Sequence, residues 1–175
     1  MPTELILNES TYQRVLMELV PSARRFLWIA TADLKDLHVK GVSGRYVPFL
    51  RTLAELVSNG VHVRLFHAKE PGPRFRKDFD KSPVLIESPH FERILCPRMH
   101  MKVFLVDGKQ AYVGSANLTG AGVGAKHADR RNFEAGMLTD DPTAVAQLMT
   151  TLDRLYLGEN CRSCRLRKYC PDPIV

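Results

Sequence analysis

The chain carries little that would hold it in a membrane or mark it for export. No apolar run approaches the roughly 20 residues that a bilayer span requires. The opening, MPTELILNES, has no basic stretch followed by an apolar one, so no secretory leader is expected and the cytoplasm is the expected location. Cysteine is scarce: Cys96, Cys161, Cys164 and Cys170 are the whole set, and three of them fall in the last 15 residues. In a chain without an export signal, cysteines clustered in this way bind metal more often than they pair as disulfides. Internal repeats are absent. Aromatic residues make up 8% and rarely stand among the basic ones, which argues against a dedicated base-stacking platform.

What is present is an ordinary globular composition, 45% hydrophobic and 25% charged, in 175 residues, enough for one compact domain with a sizeable core. The net charge of +6, with a pI near 9.3, favours a polyanionic partner such as nucleic acid or an anionic membrane surface.

Hydrophobic spacing predicts an alternation of helices and strands. Asn8 or Ser10 is expected to cap a helix running to about Arg24, and residues 26–32 read as a buried strand. Apolar residues at helical spacing over 47–58 end at Asn59-Gly60, a stop signal, and 61–68 alternates as a strand. Strand, helix, strand in that order implies a parallel pair with a crossover. Residues 69–90, with four prolines and many charges, read as a long loop, followed by a strand at 91–96. Strands over 100–107 and 110–115 are joined at Asp107-Gly108-Lys109. A short helix is expected after Asn117, then a Gly-rich loop over 119–130. A strand at 132–139 and an amphipathic helix at 142–157, with Pro142 in its first turn, complete the pattern. The fold class is therefore α/β, a mixed sheet flanked by helices on both faces. Residues 1–157 are expected to form the main domain and 158–175 a cysteine-rich, metal-binding tail packed on it.

One segment concentrates chemistry: His100-Met101-Lys102, four residues, Asp107, six residues, then Gly114-Ser115-Ala116-Asn117. In a strand, residues i and i+2 share a face, so His100 and Lys102 would point together. Ser115 and Asn117 would present polar groups at the end of the next strand, and Asn132 and Glu134 would share a face on a third. Such a set offers a nucleophile, a cation for non-bridging oxygens and neutral donors, which is what a phosphodiester needs. The bland reading is also physical: a lone His or Lys on a strand is usually structural, and Asp107-Gly108 alone is merely a turn.

The spacing resembles the HKD signature of the phospholipase D superfamily, HxK(x)4D(x)6GSxN, with every defining position filled. The resemblance extends over about residues 10–157, and in size the chain is similar to the short single-motif bacterial endonucleases of the Nuc type. It implies a phospholipase D-like fold and a metal-independent reaction. His100 would attack phosphorus, Lys102 and Asn117 would bind the phosphoryl oxygens with Ser115 as a further donor, and Glu134 would accept a hydrogen bond from His100. Asp107 is expected to organise the site rather than to move protons. The mechanism needs a second histidine, and no other HxK occurs. A twofold homodimer with the two copies of His100 facing each other supplies one. His38, His62, His67, His90 and His127 read as solvated or packed, with His90 and His127 as the two that could line the cleft.

The tail, CRSCRLRKYCP (161–171), resembles the iron–sulfur staple of RecB-like and CRISPR-associated exonucleases, in which three terminal cysteines join one distant upstream cysteine. Cys96 is the available fourth thiolate. Four thiolates suit a structural four-iron four-sulfur cluster or a tetrahedral zinc, with free thiols or disulfides as the remaining reading. Arg74, Arg76 and Lys77 in the loop, and Arg162, Arg165, Arg167 and Lys168 in the tail, fit either a phosphate-tracking groove or a solvated surface. The leading functional expectation is a nuclease acting on DNA or RNA. A phospholipase or phosphatidyl transferase is the alternative, although no amphipathic membrane anchor is evident. A non-catalytic nucleic-acid-binding module is the third.

Overall fold

The computed structural model describes residues 3–174. Its centre is β2 (Phe26–Thr31), nearly all of it buried, as expected of a strand covered on both faces. On one side β2 pairs in parallel with β5 (His62–His67), which pairs in parallel with β6 (Phe91–Leu95). On the other it pairs antiparallel with β7 (Val103–Val106), which turns back into β8 (Gln110–Gly114). β9 (Ala135–Thr139) and β1 (Glu4–Leu7) complete a seven-stranded mixed sheet in the order β1-β9-β8-β7-β2-β5-β6.

Helices cover both faces, as the sequence implies. One face packs under a helix of π register, Tyr12–Leu19, and under α1 (Phe49–Ser58). α1 buries Phe49, Leu50, Leu53, Leu56 and Val57 and ends at Gly60, whose φ of +83° only glycine adopts cheaply. The other face packs under α4 (Pro142–Tyr156), capped by Asp141, whose carboxylate accepts from the Ala144 amide. Arg64 fastens α4 to the sheet: it lies 3.6 Å from the Tyr156 ring centre and pairs with Glu92 and Asp153.

Five expectations need correction. Residues 69–90 hold two helices, α2 (Pro73–Phe79) and α3 (Pro83–Glu87). Their prolines occupy first-turn positions, where the missing N–H costs nothing, and Phe75 and Phe79 stack one helical turn apart toward the core. β1 and a small ribbon of β3 (His38–Lys40) with β4 (Tyr46–Pro48) also lie where no strand was expected. Asn8 is not a helix cap: it has φ 49° in the turn after β1. The first helix ends early, because Pro21 tightens Val20–Ser22 into a single 3₁₀ turn. No helix follows Asn117, since Leu118 is drawn into a parallel bridge with Leu34 and its amide donates to Thr31 Oγ1 at 3.0 Å.

Candidate active site

The motif residues gather where β2 and β5 end. His100 and Lys102 precede β7 rather than lying in it, because ladder pairing with β2 starts only at Val103. Lys102 still contributes its carbonyl, which accepts from the Gly114 amide at 3.0 Å. Its side chain is 8% exposed, and Nζ donates to the His100 carbonyl at 2.8 Å. A buried ammonium with one bond made retains two N–H donors for an anion, and its desolvation favours one arriving. The His100 side chain, by contrast, is exposed.

Asn117 is set by β2. The Asp33 amide donates to its Oδ1 at 3.0 Å, leaving the two Nδ2 hydrogens as the groups free to meet a phosphoryl oxygen. Thr31, wholly buried, donates from Oγ1 to the Asp33 carbonyl at 2.8 Å and thereby holds the segment together. Thr31 and Asp33 lie more than 80 residues from Asn117 and carry no local signal of this duty. Ser115 Oγ donates to Glu134 and accepts from the Ala135 amide at 3.1 Å. The other Glu134 oxygen accepts from Asn132 Nδ2 at 3.0 Å, so in this arrangement Glu134 is bonded to Ser115 and Asn132 and not to His100. Asn132 and Glu134 share a face as expected, but ahead of β9 rather than in it. Asn8 Oδ1 accepts from the Glu134 amide at 3.0 Å and anchors this segment to the end of β1. Beneath the site the Tyr112 ring lies over Gly114 and Gly136; a Cβ at either glycine would come within 2.6 Å of it.

Asp107 sits at the opposite end of β7. Its carboxylate accepts from the amides of Arg24, Arg25 and Phe26 at 3.0, 2.8 and 2.9 Å. Burial works to raise its pKa, but these three N–H donors outweigh burial and hold the carboxyl below its ordinary range. Asp107 therefore fastens the turn to the start of β2 and does not reach the pocket. His67 is wholly buried at the end of β5, with Nδ1 2.8 Å from the Lys69 carbonyl. That contact puts the proton on Nδ1, and desolvation lowers its pKa, so it stays neutral. His90 and His62 meet edge to face at the far, amino-terminal ends of β6 and β5, and His127 pairs with Asp129 on the surface. His90 therefore does not line the cleft.

The sequence matches the family described as "Cardiolipin synthase, PLD-like domain" over residues 16–156. The chain belongs to the phospholipase D-like family. No curated protein matches it. Among solved structures it is similar to NucT from Helicobacter pylori, at 16% identity and a TM-score of 0.64, over 87% of this chain and 93% of that one. It is similar also to Nuc, a phospholipase D family member from Salmonella typhimurium, at 14% identity and 0.61, over 88% and 93%. TrmBL2, an archaeal chromatin protein, aligns at 11% identity and 0.56, over 89% of this chain and 53% of its own. At these identities the structural likeness concerns the fold. Cys161, Cys164 and Cys170 lie beyond the residues matched by the phospholipase D-like family, which does not account for them.

Two depressions flank the phospholipase D-like site. A groove of about 840 Å³ is lined by Lys35, Lys69, Arg74 and Lys126, with Asp33, Glu70 and Asp36 among them, beside the Thr119–Ala121 segment that follows Asn117. Lys35 and Lys69 both pair with Asp33, whereas Arg74 and Lys126 have no ion-pair partner among the described residues. Arg76 and Lys77 are exposed elsewhere on α2 and do not line the groove; two of the three expected basic loop residues are thus a solvated surface. On the His100 side, a pocket of about 450 Å³ is lined by Arg98, His100, Cys96, Cys161 and Cys164. Burial foremost raises the Cys96 pKa, and the three tail thiols lie near enough to raise it further. Asp36, His38 and Asp78 bring donor atoms within 4.8 Å of one another, a grouping that the 40-residue separation concealed. No helix among the described residues is long and apolar enough to cross a membrane.

Proposed function

We propose that this chain is a phosphodiesterase that cleaves nucleic acid through a covalent phosphohistidine on His100, completed by a second copy of itself. The observation that supports the reading is a buried Lys102 ammonium bonded to the carbonyl of the exposed His100, with Asn117 leading into the Thr119–Ala121 wall of a groove in which Arg74 and Lys126 have no ion-pair partner among the described residues. A strand backbone lying along that groove would bring a phosphate to the imidazole, with Lys102 and the Asn117 amide on its non-bridging oxygens.

In the first half-reaction a ring nitrogen lone pair of His100 forms the N–P bond. The P–O bond to the leaving strand breaks, and that oxygen takes a proton from the second histidine. Water then gives its proton back to that histidine and attacks phosphorus, the P–N bond breaks, and the lone pair returns to His100. His67 is a poor second histidine, because it is neutral and sealed in the core. His100 of a partner copy suits the role, since an imidazole at the surface can meet its symmetry mate.

The open side of the sheet supports that assembly. Leu5, Met137 and Val113 stand in register across β1, β9 and β8, so their side chains share a face. They are 64%, 51% and 40% exposed, uncovered by α4 and next to the Ser115–Glu134 segment. An apolar row of this kind, beside a site that needs a second imidazole, suits a second copy.

The test is incubation of pure protein, in chelator, with single-stranded DNA, duplex DNA, RNA, and vesicles of phosphatidylcholine. Cleavage of at least one nucleic acid is expected, abolished by His100→Ala while polyanion binding persists. Hydrolysis of the lipid alone would turn the assignment to the lipid chemistry that the family's description names. Cleavage that requires added magnesium would overturn the mechanism.

A further inference from the structure

We infer that Cys96, Cys161, Cys164 and Cys170 hold a four-iron four-sulfur cluster, and that this centre ties the tail to the loop bearing His100 and so positions the imidazole. The claim about metal stands on the tail itself; the claim about positioning rests on the reading of His100 given above.

The tail winds with a period of three. The amides of Cys161, Cys164, Arg167 and Cys170 each donate to the carbonyl three residues earlier, at 2.8, 3.2, 3.0 and 3.2 Å. In such a winding side chains three apart stack on one side. That side is the half-buried one: from 159 to 170 only Cys161, Cys164, Arg167 and Cys170 are turned inward, and every other residue is exposed. Leu166 and Tyr169, the large apolar residues available, point to solvent. Apart from Ile174, which packs on the core further along, the tail turns thiols rather than hydrocarbon inward, so hydrophobic burial gives this stretch little reason to dock where it does. Metal ligation supplies one, because ligand bonds formed in the folded state are themselves folding energy.

The fourth thiol meets this row from the sheet. Cys96 follows β6, with its amide donating to the His67 carbonyl at 2.8 Å, and it lines one pocket together with Cys161 and Cys164. Phe66, Ile94, Leu155 and Ile174 give that pocket an apolar side, with Arg98, His100 and Asn160 on its rim. Arg167 closes the end of the chain by donating to the Ile174 carbonyl at 3.2 Å.

Sulfur spacing distinguishes the two soft-metal possibilities. A single tetrahedral zinc, with zinc–sulfur bonds near 2.3 Å, holds its sulfurs about 3.8 Å apart. Among the described residues no three of these thiols bring their sulfurs all within 4.8 Å of one another. A cubane of four irons and four sulfides is a larger body, whose thiolates stand at its corners. The wider spacing suits it.

The centre is joined to the nucleophile by a short piece of chain. From Cys96 the backbone turns once, with the Met99 amide donating to the Cys96 carbonyl at 2.8 Å, and reaches His100. Arg98, within that turn, lines the same pocket as Cys161 and Cys164. Loop 96–100 thus begins at a ligand, runs along the wall of the thiol-lined pocket, and carries the imidazole at its other end.

The experiment begins with full-length protein purified without oxygen. Four irons and four acid-labile sulfides per chain are expected, with broad visible absorbance bleached by dithionite. Cys164→Ser, Cys170→Ser and Cys96→Ser should each lose the iron and speed amide exchange over residues 97–101 by about tenfold or more, as local opening becomes cheaper. Arg165→Ala, on the outward side, should do neither. If a cysteine variant fails to fold, ferricyanide and chelator applied to wild-type protein remove the cluster from a folded chain, and the same exchange change is expected. Metal-free protein in which all four thiols alkylate readily would overturn the site, and colourless protein with one zinc per chain would overturn the cluster. Unchanged exchange over 97–101 after iron loss would overturn the positioning role. Iron-loaded protein that cleaves no nucleic acid would count against the nuclease reading alone, since the iron count and the exchange rates do not depend on turnover.

Discussion

Replacing Asp107 by Asn separates a scaffold role from a chemical one. The carboxylate receives three backbone amides, Arg24 at 3.0 Å, Arg25 at 2.8 Å and Phe26 at 2.9 Å, from a backbone with φ 55°. Asn tolerates that left-handed conformation, so the substitution tests charge and acceptor count rather than backbone strain. One of the two oxygens becomes an NH₂ facing the Arg24 amide, and the remaining bonds lose their charge assistance. Hydrogen bonds to a charged acceptor contribute about 1.5–3 kcal/mol and neutral ones about 0.5–1.5, so a net loss of about 2–4 kcal/mol follows for this partly exposed cluster. For a chain of this size that corresponds to a Tm lowered by roughly 5–12 °C.

The pH dependence has a definite sign. The folded pKa lies below the unfolded value of about 3.9, so the stabilisation is complete well above that value and is lost as pH falls through the folded pKa. Urea unfolding of wild type and Asp107→Asn should differ most near pH 7 and converge toward pH 3. At 20 °C, where both are folded, their kcat values should agree within about threefold. A variant as stable as wild type but at least a hundredfold slower would refute the reasoning and return Asp107 to the chemistry.

Lys102→Met keeps the length of the buried side chain and removes the cation; single-turnover cleavage should slow by about 10²–10³-fold with little change in oligonucleotide affinity. Arg74→Ala should weaken binding and reduce the slope of log K against log salt by about one, measured by fluorescence anisotropy, while Arg76→Ala leaves that slope unchanged. Met137→Asp places a charge in the open apolar row and should raise the dimer dissociation constant at least about 30-fold in sedimentation experiments, with activity falling in step.

How much of this was legible in the letters depends on whether the signal was local. β2, β5 and the β7–β8 hairpin carry their own hydrophobic patterns, and α1 and α4 carry spacing and stop or start residues; each appears within two residues of its expected ends except β7, which starts at Val103, three residues late. The HxK spacing likewise drew attention to the corner of the sheet where His100, Lys102, Ser115 and Asn117 gather. The chain around it was less readable. Pro73 and Pro83 read as loop markers because a proline in a first helical turn looks the same as one in a coil, and only the Phe75–Phe79 spacing betrayed α2. β1 is four residues long and owes its place to β9, from far along the chain. The contacts that set the site, Asp33 on Asn117 and Asn8 on Glu134, join residues 84 and 126 apart and leave no pattern in either segment. Asp107 was legible as the turn at the far end of its strand, but its partners, the Arg24, Arg25 and Phe26 amides, lie about 80 residues away and left no signal.

The central claim is that the His100 imidazole bonds to phosphorus. Protein mixed with a scissile oligonucleotide in chelator, stopped in alkali within one turnover and digested for mass spectrometry, tests it directly. The account predicts a nucleotidyl adduct on the peptide containing His100, absent from His100→Ala and disappearing as product forms. Product released at full rate with no adduct at any time point, or cleavage that starts only when magnesium is restored, would contradict it.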